Sequence, residues 1–205
     1  MPRIAQAVPS ARASVTVNGT VTAIPLQLSG TVWTATPTTL TTSTYIVRID
    51  RLWLDPDPGI LYDIAAQNLT SSPLHYVFNF ETDIEPTSVV TTKASLQNSG
   101  GSNLAYRLFG IGASAAELPL GVDLGSTTES ASSHQVLAEK IVALGGRLSF
   151  DLSASDSFSI GAKVTQVPEP SAALLCGAGL LALAFRRRVA RPGVPAPARD
   201  AIICG

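Results

Sequence analysis

Few side chains in this sequence are of types that make or break bonds, and they stand far apart. His75 and His134 could serve as general bases, but a catalytic base needs a partner that orients it, and the sequence names none for either. His75 falls on the polar side of an alternating segment and His134 follows a serine cluster, so both read as solvated surface residues. Asp55 and Asp57 offer oxygens to calcium, yet two carboxylates in a proline turn fall short of the roughly six to eight ligands that calcium takes. Asp83 and Glu85 read as a solvated loop. Cys176 lies among small apolar residues, as a small hydrophobe rather than a reactive thiol, and Cys204 stands next to the C-terminus without a prenylation box. No G-x-S-x-G elbow, P-loop, dinucleotide fingerprint, H-E-x-x-H or EF-hand pattern occurs. The expectation is a non-enzymatic protein with no catalytic residue, no metal and no cofactor.

The most distinctive stretch of the sequence runs from Val167 to Arg188. Val167, Pro168, Glu169 and Pro170 form an extended segment, because two prolines fix φ and remove amide donors. Pro170 suits the first turn of a helix, and Glu169 sits beside its positive end. Fifteen uncharged residues follow, Ser171–Phe185, dominated by Leu174, Leu175, Leu180, Leu181, Leu183 and Phe185. A helix apolar on all sides belongs in a large core or a membrane. At about 1.5 Å per residue this one reaches roughly 22 Å of an apolar layer about 30 Å thick. Continuation through Ala190 narrows the gap, since arginine stems can lie in the hydrocarbon. Arg186, Arg187 and Arg188 close the stretch and place its C-terminal side in the cytoplasm.

The order and spacing of Val167–Pro170, the leucine-rich helix and Arg186–Arg188 resemble the PEP-CTERM sorting signal. The resemblance covers about a tenth of the chain. It implies export from a Gram-negative cell, transient retention in the inner membrane, recognition by an exosortase, and release or attachment at the cell surface, often where exopolysaccharide is made. Here seventeen residues, Val189–Gly205, follow the arginines, where members of that family usually stop. This Pro/Ala-rich tail is expected to be disordered and cytoplasmic.

Upstream, the chain must supply a body for this signal to carry. Val15 and Val17 alternate with polar neighbours, and Asn18-Gly19 is a strong hairpin turn. Thr31–Thr44 holds eight threonines in fourteen residues, suited to an exposed edge or a solvated loop. In Tyr45–Leu54, the two-residue period puts Tyr45, Val47 and Ile49 on one side and Ile46, Leu52 and Leu54 on the other. Asp55–Gly59 is a turn. Leu74, Tyr76, Phe78 and Phe80 line one face of the clearest half-buried strand, expected at the centre of the core. Further strands are expected over Ile60–Leu69, Ser88–Gln97, Leu104–Ile111, Arg147–Leu152 and Phe158–Thr165. Ala113–Ser133 reads as irregular, Gln135–Leu144 as strand or short helix, and Gly145-Gly146 as a break. Short strands at roughly ten-residue intervals, burying one face and wetting the other, predict an all-β fold: an antiparallel β-sandwich body over 14–166, followed by the single C-terminal apolar helix.

The N-terminus lacks the apolar run of about 7–15 residues that opens an exported protein. Ala11-Arg12-Ala13 looks like the cleavage site of a leader, so residues 1–13 are expected to be a leader remnant or a disordered arm. Before Arg186 stand nine basic and fourteen acidic residues, net −5; from Arg186 onward five and one, net +4. A mildly acidic body argues against nucleic acid as a partner. The first function expected is therefore an exported surface or extracellular-matrix protein. The alternative is a module that binds carbohydrate or exopolysaccharide, with Tyr45, Trp53 and Tyr62 as aromatic candidates unless the core claims them.

Overall fold

The computed structural model describes residues 10–57, 59–125 and 128–166. Twelve strands make up this part: β1 (Ala11–Val17), β2 (Thr20–Ala23), β3 (Gln27–Ser29), β4 (Val32–Ala35), β5 (Thr38–Thr41), β6 (Tyr45–Asp55), β7 (Gly59–Asn68), β8 (Leu74–Ser99), β9 (Ser102–Gly112), β10 (Glu117–Leu124), β11 (Thr128–Leu152) and β12 (Ser157–Gln166). All pairings are antiparallel. The expected all-β sandwich is what forms, but from one hydrogen-bonded sheet folded over on itself.

The folding-over is done by β8 and β11, which run beside each other through both layers. The first half of β8 lies between β1 and the end of β11; β9 and β10 extend this first layer on one side and β2 on the other. The second half of β8 lies between the start of β11 and β12, and β7, β6, β4, β5 and β3 continue the second layer. The register between β8 and β11 shifts between Val136 and Ile141 and again between Ile141 and Ala143, opposite the segment of β8 that holds Pro86. Bulges bend a strand and raise its twist, and they are where a sheet tolerates proline. The two strands therefore turn the corner together.

Rings from the two layers meet in between. Tyr62 of β7 stacks on Phe80 of β8 with centroids 4.7 Å apart, Phe158 of β12 stacks on Phe150 of β11 at 3.8 Å, and Tyr45 meets Tyr76 edge-on at 6.2 Å. Leu74, Tyr76, Phe78 and Phe80 are all buried, as their alternation predicts.

Five local expectations are corrected. Asp83 and Glu85, expected in a solvated loop, lie within the continuous strand β8. Leu52 and Leu54 face the core together with Tyr45, Val47 and Ile49, because a register shift between Ile49 and Arg51 inserts one residue and reverses the phase of the strand. The supposed irregular stretch 113–133 contains β10 and the start of β11. Gly145-Gly146 is no break but the middle of β11. A Cβ on Gly145 would stand 2.3 Å from the Phe109 ring, and one on Gly146 2.8 Å from the Tyr106 hydroxyl, so the pair makes room for an aromatic on each face. Finally, Ala11-Arg12-Ala13 opens β1, pairing with Thr82, Glu81 and Phe80 of β8, with Ala13 buried. These three residues belong to the sheet.

Candidate functional site

The inward face of the second layer is filled by Phe158, Ile160, Ala162 and Val164 of β12 and their neighbours. The residues between them are forced outward by the two-residue period. Cross-strand register then assembles them into rows. One row runs Trp53, Leu61, Lys163, Ser95, Ser130 across β6, β7, β12, β8 and β11; the next runs Asp55, Gly59, Thr165, Lys93, Ser132. Four strand spacings of about 4.8 Å make each row roughly 19 Å long.

This face is a trough of adjoining hollows. One of about 400 Å³ is lined by Lys93, Ser95, Ser130, Ser132, Lys163 and Thr165. A second, of about 430 Å³, adds Leu61, Asp63 and Gln97, and a third, of about 400 Å³, continues over Ser99 and Ser159 to Arg48. The floor is low because small residues occupy its middle: a Cβ on Gly161 would lie 2.8 Å from Asp63 Oδ1. Ser99 Oγ and Ser159 Oγ hydrogen-bond at 2.9 Å. At the side of the trough the Trp53 indole lies across Gly59, where a Cβ would come within 3.1 Å of its Cζ3. The result is an aromatic platform beside a bed of hydroxyl, amide and ammonium donors. That arrangement suits reversible binding of a polyhydroxylated ligand.

The other side chains with chemical capability are used structurally. Tyr45 and Tyr62 are buried in the core, which leaves Trp53 as the outward aromatic of the three expected. His75 Nδ1 lies 2.6 Å from Asp151 Oδ1, while Asn103 Nδ2 donates to Asp151 Oδ2 at 2.6 Å. The Asn103 and His75 hydrogen bonds hold the Asp151 carboxyl below its usual range. His134 Nδ1 and Thr91 Oγ1 are 2.8 Å apart. Asp55 Oδ1 accepts from the Asp57 amide at 3.0 Å, closing the predicted turn. Asp83 Oδ2 accepts from the Ser10 amide and hydroxyl at 2.7 and 2.8 Å, tying the start of β1 to β8. Among the described residues no group of three or more His, Cys, Asp or Glu side chains could hold a metal ion, and no helix is long and apolar enough to cross a membrane. The expected sorting residues Val167–Pro170, the helix Ser171–Phe185 and the cluster Arg186–Arg188 lie outside the described residues.

The lysines and hydroxyls of the trough escaped the sequence reading. Their only signal was the polar half of the alternation in Thr91–Ser99 and Ser157–Thr165, a pattern that any wetted sheet face also produces.

The family described as the PEP-CTERM protein-sorting motif matches residues 166–188, beginning at Gln166 of β12 (Ser157–Gln166). The chain carries a PEP-CTERM sorting motif. The motif implies an exosortase as processing partner and sorting out of the cell. No curated protein matches the sequence. Solved structures with some likeness include TmCBM61 in complex with β-1,4-galactotriose, at 12% identity over 60% of this chain and 88% of that one, TM-score 0.35. Another is a family two carbohydrate esterase from Cellvibrio japonicus, at 10% identity over 77% of this chain and 36% of that one, TM-score 0.20. Neither likeness is close enough to carry an argument about ligand or activity.

Proposed function

We propose that this is an exported, non-enzymatic surface or extracellular-matrix protein of a Gram-negative cell, held briefly in the inner membrane and then processed by an exosortase. The observation that carries the reading is the PEP-CTERM match at residues 166–188. A peptidase needs an extended, accessible backbone next to the bilayer, and prolines, which fix φ and lack an amide donor, favour such a backbone; the motif carries two, Pro168 and Pro170. Glu169 adds a charge for a pocket to select. A plain anchor needs only apolarity and flanking positive charge. Replacing Pro168, Glu169 and Pro170 with alanine, in a host with a matching exosortase, therefore leaves insertion intact and accumulates full-length protein. If that variant matures as fast as its parent on a gel, the segment is a simple tail anchor.

The trough favours a second reading of the body itself: a module that binds carbohydrate, with Trp53 as the stacking platform and the row from Leu61 to Ser130 as the hydrogen-bonding floor. Exopolysaccharide at the cell surface is the natural ligand class for a protein sorted there. Trp53→Ala is expected to weaken retention on the host's secreted polysaccharide about two- to tenfold, the scale of one lost ring contact. Unchanged retention removes Trp53 from the site.

A further inference from the structure

We propose that the lysine-bearing end of the trough selects an acidic polysaccharide, seating its carboxylate or sulfate groups between Lys93 and Lys163. This rests on the glycan-binding reading above and narrows its ligand. Lys163 of β12 stands opposite Ser95 of β8, and Thr165 opposite Lys93. The two lysines are therefore diagonal neighbours on adjacent strands, about 7–8 Å apart along the sheet. Like charges this close disfavour one another, yet no carboxylate among the described residues lies within ion-pair reach of either.

The arginines on the same face are treated differently. Arg51 Nε is 2.9 Å from Asp63 Oδ2, and Arg48 Nε is 2.9 Å from Asp50 Oδ1. Asp63 is also the diagonal neighbour of Lys163 across β7 and lines one hollow with it, but its carboxylate is engaged by Arg51. The hollow that both lysines share has no carboxylate in its lining, in a chain that carries a net −5 before Arg186. Positive charge here is a local feature against an acidic background, which is the reverse of a nucleic-acid surface.

Both lysines line the same hollow of about 400 Å³, with the hydroxyls of Ser95, Ser130, Ser132 and Thr165 around them. Hydroxyls serve the neutral oxygens of a sugar, and each ammonium offers three rotatable donors to an anion whose orientation is set by the rest of the chain. The hollow opens into the next one along the row that leads to Leu61. An extended polymer fits that shape better than a single compact ion.

The test uses the full chain in mild detergent, run by affinity electrophoresis through gels containing alginate, alginate esterified to remove its charge, dextran sulfate or dextran. Alginate retards the parent and the esterified form does not; dextran sulfate retardation shows that a sulfate can take the same seat. The exposed double variant Lys93→Gln/Lys163→Gln, shown folded by circular dichroism, binds alginate about tenfold or more weakly, and added salt weakens the parent towards the variant. If esterified alginate or dextran retards the chain as strongly as alginate, or the variant binds unchanged, the acidic selection is overturned while glycan binding stands. If none of the four gels retards the parent, both fall.

Discussion

Asn68 is fully buried at the end of β7, and every hydrogen-bonding group of its side-chain amide is engaged. Nδ2 donates to the carbonyls of Ser72 at 2.7 Å, Leu152 at 3.2 Å and Ser153 at 2.9 Å. Oδ1 accepts from the amide and the hydroxyl of Thr70, both at 2.8 Å. One side chain thereby ties the β7–β8 turn to the β11–β12 turn. Removing it takes a donor from the buried Leu152 carbonyl and the acceptor from the Thr70 amide, while the Ser72 and Ser153 carbonyls keep the Thr70 hydroxyl and the Asp156 amide. A buried group that loses its partner costs more than the hydrogen bond is worth in net terms. Asn68→Ala is expected to lose about 2–4 kcal/mol, read as a lower urea midpoint at unchanged slope. Asn68→Asp has the right shape but no donor and brings a charge against the carbonyls, so it is expected to lose at least as much. A loss under about 0.5 kcal/mol for Asn68→Ala, the range of ordinary surface changes, would remove the residue from this role.

At the level of elements, alternation made most strands legible. Leu74–Phe80, Val90–Leu96 and Phe158–Val164 bury the residues that their two-residue period singles out, and Asn18-Gly19 turns with φ of 44° and 86° as its sequence predicts. What could not be read was continuity. Pro86 looks like a terminator, but β8 runs 26 residues through it, because a bulged corner needs no amide donor there. The phase reversal in β6 depends on one unpaired residue, Asp50, which carries no mark in the sequence. The trough was illegible for a related reason: its rows exist only once five strands are in register. The layers also bury phenols that cannot ionise in place. Burial raises the Tyr62 and Tyr106 hydroxyls well above their ordinary value of 10.0, and it raises Tyr76 to about 12. Above pH 10 the unfolded chain loses phenolic protons that the folded chain keeps, so it binds fewer protons and stability falls as pH rises. Each such group steepens the loss by about 1.4 kcal/mol per pH unit. Alkaline unfolding should coincide with the phenolate absorbance of these three rings. The Tyr62 and Tyr106 hydroxyls interact with each other and meet no other hydrogen-bond partner among the described residues. Tyr106→Phe, which removes one ionisable phenol from the core, is therefore expected to move the alkaline midpoint upward; an unchanged midpoint would contradict the linkage.

For the molecule as a whole, the order of the chain decides when the body is complete. β12 is the last in sequence of the described strands, yet it lies inside the second layer, hydrogen-bonded to β7 on one side and β8 on the other. It also brings Phe158 onto Phe150, and it supplies Ile160, Ala162 and Val164 to the core. Without it, β7 and β8 each lose a neighbour, and the aromatic centre of the first layer is opened to water. Losing one large aromatic from a core typically costs about 3–5 kcal/mol, which is already comparable to the whole stability of many domains, about 5–15 kcal/mol. A chain stopped after Asp156 is therefore expected not to fold, showing no cooperative melt and rapid proteolysis. One stopped at Gln166 loses none of these contacts and is expected to melt where the exosortase-processed protein does. The sorting motif begins at residue 166, so a cut within it releases a body whose sheet is intact. A cooperative melt in the chain ending at Asp156, with a β-type circular dichroism spectrum, would mean that β12 is an accessory strand and that the core closes without it.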